Sequence, residues 1–245
     1  MGGKKCEIRI GTSGWHYDHW VGPFYPEDLP RSRRLQYYAE SFDTVEINNT
    51  FYQLPKETTL QKWYDQSPRG FVYTLKANRY ITHIKRLKSC KDELRRFLDA
   101  ACVLKEKLGP ILYQLPPSLH KDVGLLEDFI GLLPKDRPGV FEFRHGSWFG
   151  EDVYELLRRF NMAFCIHDLG GEQSPRMVTA ETVYIRFHGT TGRYAGRYSD
   201  AVLRQWAQWL KENCREAPYM YAYFNNDAKG HAVSNARTLR DMLIE

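Results

Sequence analysis

Eight short apolar runs recur along this chain, and nearly every one ends in a cluster of polar or charged residues. They are Ile8–Ile10, Thr44–Ile47, Phe71–Leu75, Ile111–Leu115, Val140–Phe143, Ala163–Ile166, Val183–Phe187 and Met220–Phe224. Each is followed by a stretch long enough for a helix, and most of those stretches carry helical periodicity. Strand and helix alternating eight times predict one α/β domain over residues 1–245. It is a single (β/α)8 TIM barrel of eight parallel strands with outer helices, and its active site belongs at the C-terminal strand ends. The 245-residue length suits one such domain.

Composition removes several alternatives. Apolar residues at 42 % and aromatics at 14 % supply a large core and exclude a disordered chain. No apolar run approaches the roughly 20 residues that cross a bilayer, and Met1–Lys5 leads into no signal-type segment, so a cytoplasmic protein without membrane contact is expected. The five cysteines, Cys6, Cys90, Cys102, Cys165 and Cys214, are odd in number and scattered, which fits reduced, mostly buried thiols. A net charge of +5 permits an anionic ligand without demanding nucleic acid, and nothing calls for an obligate protein partner.

Two helices read clearly. Ser199 is placed to cap Ser199–Cys214, where Leu203, Trp206, Ala207 and Leu210 form one apolar face. Lys91–Lys107 carries Leu94, Phe97, Leu98, Ala101 and Leu104 on one side, and Gly109-Pro110 is expected to stop it before the fourth strand. Two loops, Thr12–Arg34 and His188–Tyr198, are long for a barrel and read as binding elements.

Side chains alternate along a strand, so parity sorts the polar residues. If Val183, Ile185 and Phe187 face the helices, Arg186 and His188 point inward. By the same alternation Glu46 and Asn48, Lys76 and Asn78, Gln114, and Glu142 and Arg144 point into the barrel. An interior is normally filled by Val, Ile and Leu. Three inward cations against two carboxylates, costly to bury unpaired, favour either an internal paired network or an anionic ligand such as a phosphate or carboxylate.

In series, GTSGWHYDHW with FYP, VEINNTFYQLP, LKANRYITH, GPILYQLPPS, FEFRHGSW, YIRFHG with YAGRYS, and YFNNDAKGHAVSNA resemble the YecE-like family. This domain-of-unknown-function family has a TIM-barrel fold. The resemblance runs in order from Gly11 to about Leu239. It implies the barrel and supplies no reaction, which must come from the site.

Several chemistries remain open. Glu46 and Glu142 could act as acid and base, as in a carbohydrate-active enzyme, or one of them could act as base on an anionic substrate with His188 as proton donor or metal ligand; nearby cations would hold both carboxylates ionised. Glu46, Glu142, His145, His167 and His188 could hold a divalent metal, although the spacing matches no metal motif. Lys76 could form a Schiff base or contact phosphate. The glycine-rich loop after the seventh strand, with Arg193, could cradle phosphate or be a solvated loop. Aromatics of the first loop could stack on a ligand or seal the loop; Trp15 and Trp148 are the two expected to be partly exposed at the mouth. Asn225, at the end of the last strand, is a ligand candidate, whereas Asn226 and Asp227 suit turns. The segment Gly230–Asn235 is expected to open the last helix. The combined reading is a hydrolase or lyase acting on a small phosphorylated or otherwise anionic substrate through Lys76, Arg144, Arg186, Arg193 and Asn48. The alternatives are a nucleic-acid binder with a cationic aromatic mouth and a carbohydrate-active enzyme.

Overall fold

The computed structural model describes residues 6–192, 194–213 and 217–244. All eight expected strands form: β1 (Glu7–Ser13), β2 (Thr44–Ile47), β3 (Val72–Lys76), β4 (Leu108–Gln114), β5 (Gly139–Glu142), β6 (Ala163–Leu169), β7 (Thr182–Phe187) and β8 (Tyr219–Phe224). Each pairs in parallel with the next, and β8 pairs with β1, which closes the sheet into a barrel. Closure leaves no exposed barrel edge and fixes an inside and an outside for every strand residue.

Helices α1 (Arg34–Ser41), α2 (Glu57–Gln66), α3 (Lys91–Ala101), α4 (Val123–Ile130), α5 (Glu151–Arg159), α6 (Asp200–Asn213) and α7 (His231–Ile244) surround the barrel. Charge placement supports them locally: α5 opens on Glu151 and Asp152 and ends on Arg158 and Arg159, matching its dipole. Asp122 accepts the Leu125 amide at 3.0 Å to cap α4.

Three backbone segments depart from the sequence reading. The third helix ends at Ala101, and a 3-10 segment, Cys102–Lys107, follows it. Gly109 and Pro110 lie within β4 instead of separating it from the helix. Between β6 and β7 the described chain has no α-helix. A two-residue strand, Glu172–Gln173, turns back antiparallel onto β6 through Gly170 and Gly171, both at positive φ. Side chains then pin the following segment. Ser174 Oγ accepts the His167 amide at 2.9 Å, and Thr179 Oγ1 accepts the Phe164 amide at 2.8 Å. Cys6 is disulfide-bonded, which corrects the expectation of reduced thiols at that position; Cys90, Cys102 and Cys165 are free thiols. No described helix is long and apolar enough to cross a membrane.

The main core lies between sheet and helices and takes Val45, Ile47, Tyr73, Phe141, Phe143, Val183, Ile185 and Phe187. A separate plug fills the barrel axis with Leu112, Val140, Ala163, Cys165, Tyr184 and Tyr223. The Tyr223 hydroxyl meets Thr44 Oγ1 at 2.6 Å and Thr74 Oγ1 at 2.9 Å, so this apolar layer satisfies its own polar atoms. The charged residues stand on this plug.

Candidate functional site

Two residues beyond the plug, β2, β5 and β7 deliver Glu46, Glu142 and Arg186 to the axis, all at most 1 % exposed. Arg186 lies between the carboxylates. Its Nε and Nη2 donate to Glu46 Oε2 at 2.9 Å and Oε1 at 2.7 Å, and its Nη1 donates to Glu142 Oε2 at 2.6 Å. Nη2 also donates to Asn48 Oδ1 at 3.3 Å. Glu46 further accepts from Ser13 Oγ and from the Tyr184 hydroxyl, each at 2.6 Å. Burial alone would raise the Glu46 pKa, but the Arg186 charge and these hydrogen bonds outweigh it and hold the carboxyl below its usual range. Burial opposes ionisation of Glu142 too; Arg144 and Arg186 overcome it and place its carboxyl well below the usual range.

His188 and Arg144 reach back onto this layer from two residues further along the chain. Arg144 Nη2 ion-pairs with Glu142 Oε1 and lies 2.9 Å from His188 Nε2. The same imidazole nitrogen is 3.4 Å from Glu142 Oε1. The Arg144 guanidinium requires Nε2 to accept, whereas the Asn225 side-chain nitrogen, 3.3 Å from Nδ1, requires Nδ1 to accept and leaves Nε2 to donate to Glu142, so the two contacts favour opposite tautomers. Burial first, then the Arg186 charge, lowers the His188 pKa to about 3, in keeping with a neutral ring. Tyr194 stands edge-on over it, with centroids 5.7 Å apart.

A second tier is half-buried: Asn48, Lys76, Asn78, Gln114 and Arg144 at the ends of β2 to β5. Lys76 Nζ donates to Gln114 Oε1 at 2.5 Å and sits 4.1 Å from the centre of the Phe51 ring. Burial, then the Arg186 charge, lowers its pKa to about 8 against the opposing pull of Glu142 and Glu46. Beside this tier, Ser13, Gly14, Trp15, His16, Tyr17, Ile47, Asn48, Asn49 and Trp63 line a cavity of ≈ 390 Å³.

The structure therefore brings Glu46, Asn48, Lys76, Glu142, Arg144, Arg186, His188 and Asn225 to one end of the barrel, as parity requires. His167 also ends on the inner face, beside Glu142 and Arg144, and its Nδ1 has no hydrogen-bond partner. His145 is separate: it stacks on His120 at 4.0 Å and accepts the Ser147 amide at 3.1 Å. Among the described residues no group of three or more His, Cys, Asp or Glu side chains is arranged for a metal. The physical reason is plain, because the Arg186 guanidinium already fills the place between the carboxylates.

Trp148 corrects the expectation of partial exposure. It is fully buried outside the barrel, stacked 4.8 Å from Phe143, with Nε1 donating to the Leu119 carbonyl at 2.7 Å. Trp15 is only 9 % exposed and contributes a face to the cavity near Asn48. Most first-loop aromatics seal the loop: Trp20, Phe24 and Tyr25 are buried together. Asn226 and Asn235 tie the loop after β7 to α7 through Gly196, Tyr198 and each other. Gly189, at φ 107°, passes so close to Ala195 that a Cβ would lie 2.1 Å from its carbonyl oxygen. Arg193 lies outside the described residues. Sequence reasoning missed Ser13, Tyr184 and Phe51 as partners. Tyr184 shares the parity of Arg186 and was legible on that ground; the Phe51 contact with Lys76 depends on a loop path.

With this geometry in place, comparison with known proteins identifies the family. The family model "Protein of unknown function DUF72" matches residues 9–245. The chain belongs to the DUF72 family. It is 27 % identical to UPF0759 protein YunF of Bacillus subtilis, over 96 % of this chain and 94 % of YunF. It is 30 % identical to UPF0759 protein YecE of Escherichia coli over 62 % of this chain and 54 % of YecE. A crystal structure of a DUF72 protein from Thermotoga maritima shares 32 % identity, covers 97 % of this chain and 99 % of that one, and superposes with a TM-score of 0.88. The expected YecE-like membership and TIM-barrel fold both hold.

Proposed function

We propose that the barrel mouth binds, and acts on, a small anionic substrate, a phosphate ester or carboxylate, held by Arg144 with Lys76 beside it. The observation that carries this reading is an uncompensated cation. Glu46 and Glu142 are engaged by Arg186 and Arg144, leaving Lys76 with an amide and an aromatic ring as its partners. Arg144 also keeps a buried Nε without a hydrogen-bond partner, and its side chain is 12 % exposed. Desolvated positive charge without a carboxylate of its own is stabilised by an incoming anion.

In this reading Arg186 is the fixed base of the site and leaves substrate contact to the tier above it. Asn48 and Asn225 orient Arg186 and His188. The acid–base glutamates of a carbohydrate-active enzyme are disfavoured, because a general acid needs a raised pKa and both carboxyls are lowered.

Phosphate titration followed by thermal denaturation tests the proposal. The wild type is expected to gain melting temperature with occupancy and Arg144→Ala to lose that response. Equal shifts in both proteins would refute it. An affinity for single-stranded oligonucleotide that falls steeply with salt, with no response to phosphate, would favour nucleic-acid binding instead.

A further inference from the structure

Lys76 occupies an unusual position for a lysine. It ends β3, its backbone carbonyl accepts Thr50 Oγ1 at 2.7 Å, and its side chain lies along the Phe51 ring with Nζ on Gln114. Gln114 pairs in register with Glu142, so the amine borders the anion-binding layer while the neighbouring carboxylates serve the arginines. This half-buried amine meets one amide acceptor and the face of an aromatic ring, and no carboxylate among the described residues is ion-paired with it.

We propose that Lys76 is an imine-forming amine and that the substrate is a small ketone or aldehyde bearing a phosphate or carboxylate group. The proposal rests on the anion-binding reading, which places the carbonyl carbon beside Nζ while Arg144 holds the anionic end. Unprotonated Nζ adds to the carbonyl carbon, forming the C–N bond while the oxygen takes up a proton. The carbinolamine then loses water, and the nitrogen lone pair forms the C=N bond. Amine plus carbonyl gives imine plus water, with no change of oxidation state. Protonated, the imine withdraws electrons from the adjacent carbon, which is the chemistry of a lyase. The lowered pKa of Lys76 supports the first step, since an appreciable fraction of the amine is unprotonated near neutral pH. The charged and titratable groups around it are Arg186, Glu142, Glu46 and Arg144, together with His83, whose ring lies 4.8 Å from the same Phe51 ring.

The test is reductive trapping. The intact protein is incubated with pyruvate, and separately with dihydroxyacetone phosphate, in the presence of cyanoborohydride, then mapped by peptide mass spectrometry. Labelling of Lys76 is expected to run at least about tenfold faster than that of exposed lysines such as Lys62 and Lys121. It should be abolished in Lys76→Arg, a variant whose fold is checked by circular dichroism. Labelling of Lys76 no faster than of surface lysines, with phosphate still bound, overturns the imine proposal and leaves the anion site standing. Selective labelling without phosphate binding supports the imine and overturns the anion reading, and failure of both measurements removes both.

Discussion

Arg186 grips Glu46 side-on, Nε to Oε2 at 2.9 Å and Nη2 to Oε1 at 2.7 Å, across the inside of the barrel from β7 to β2. Its remaining amino group reaches Glu142 on β5. One planar fork thus fixes three strands at the depth where the apolar plug ends. Lysine cannot reproduce that fork.

Removing the fork should be severe. Arg186→Met leaves two fully buried carboxylates without their central cation and is expected to lose about 3–5 kcal/mol of stability. Arg186→Lys should also fall well below wild type, because the three bonds come from three separate guanidinium nitrogens and a single lysine nitrogen cannot span from Glu46 to Glu142. Urea denaturation midpoints measure both; a loss under about 1 kcal/mol in either would contradict the bidentate account.

His188 makes stability depend on acid. Its folded pKa of about 3 lies below the ordinary 6.5, so between these values the unfolded chain takes up a proton that the native ring refuses. Stability conferred by the neutral ring is present above pH 6.5 and is lost as pH falls toward 3, by up to about 1.4 kcal/mol per pH unit. His188→Gln should flatten that part of the pH profile. An unchanged slope would mean that the ring is protonated in the native state.

Lys76 acts in the alkaline range. With a folded pKa of about 8 against the ordinary 10.5, stability should rise as pH increases from 8 to 10.5, because there the unfolded chain binds the extra proton. Lys76→Met should be the more stable protein near neutral pH by something on the order of 2–3 kcal/mol, an advantage that vanishes by pH 10.5. Wild-type and variant curves that run parallel would remove the desolvated amine from the account.

Trp148 separates folding from binding. Trp148→Ala opens a cavity against Phe143 outside the barrel and should cost about 3–5 kcal/mol. Phosphate affinity, measured below the melting range, should match that of the wild type. A loss of affinity at unchanged stability would return Trp148 to the mouth.

These residues show where the sequence was legible. Period-two alternation placed Glu46, Lys76, Glu142, Arg144, Arg186 and His188 correctly, because a closed barrel allows only two sides to each strand. Parity carries no information on pairing, so it could not decide that Arg186 is consumed by Glu46 and Glu142 while Lys76 is left with Gln114. Trp148 and His145 lie beyond the end of β5, where the chain enters a short 3-10 turn and alternation stops applying. The missing helix between β6 and β7 follows from Gly170, Gly171 and Pro175, which break helical continuity in a segment too short to restart it.

The central claim is that the Arg186 lattice leaves an uncompensated cationic mouth that takes an anion at Arg144. A crystal of the protein grown in low-millimolar tungstate tests it most directly, through the anomalous signal of the metal oxyanion. The account predicts a peak at the C-terminal end of the barrel, with an oxyanion oxygen within hydrogen-bond distance of Arg144 and close to Lys76. A mouth without that peak, alongside tungstate bound to surface arginines, would contradict it.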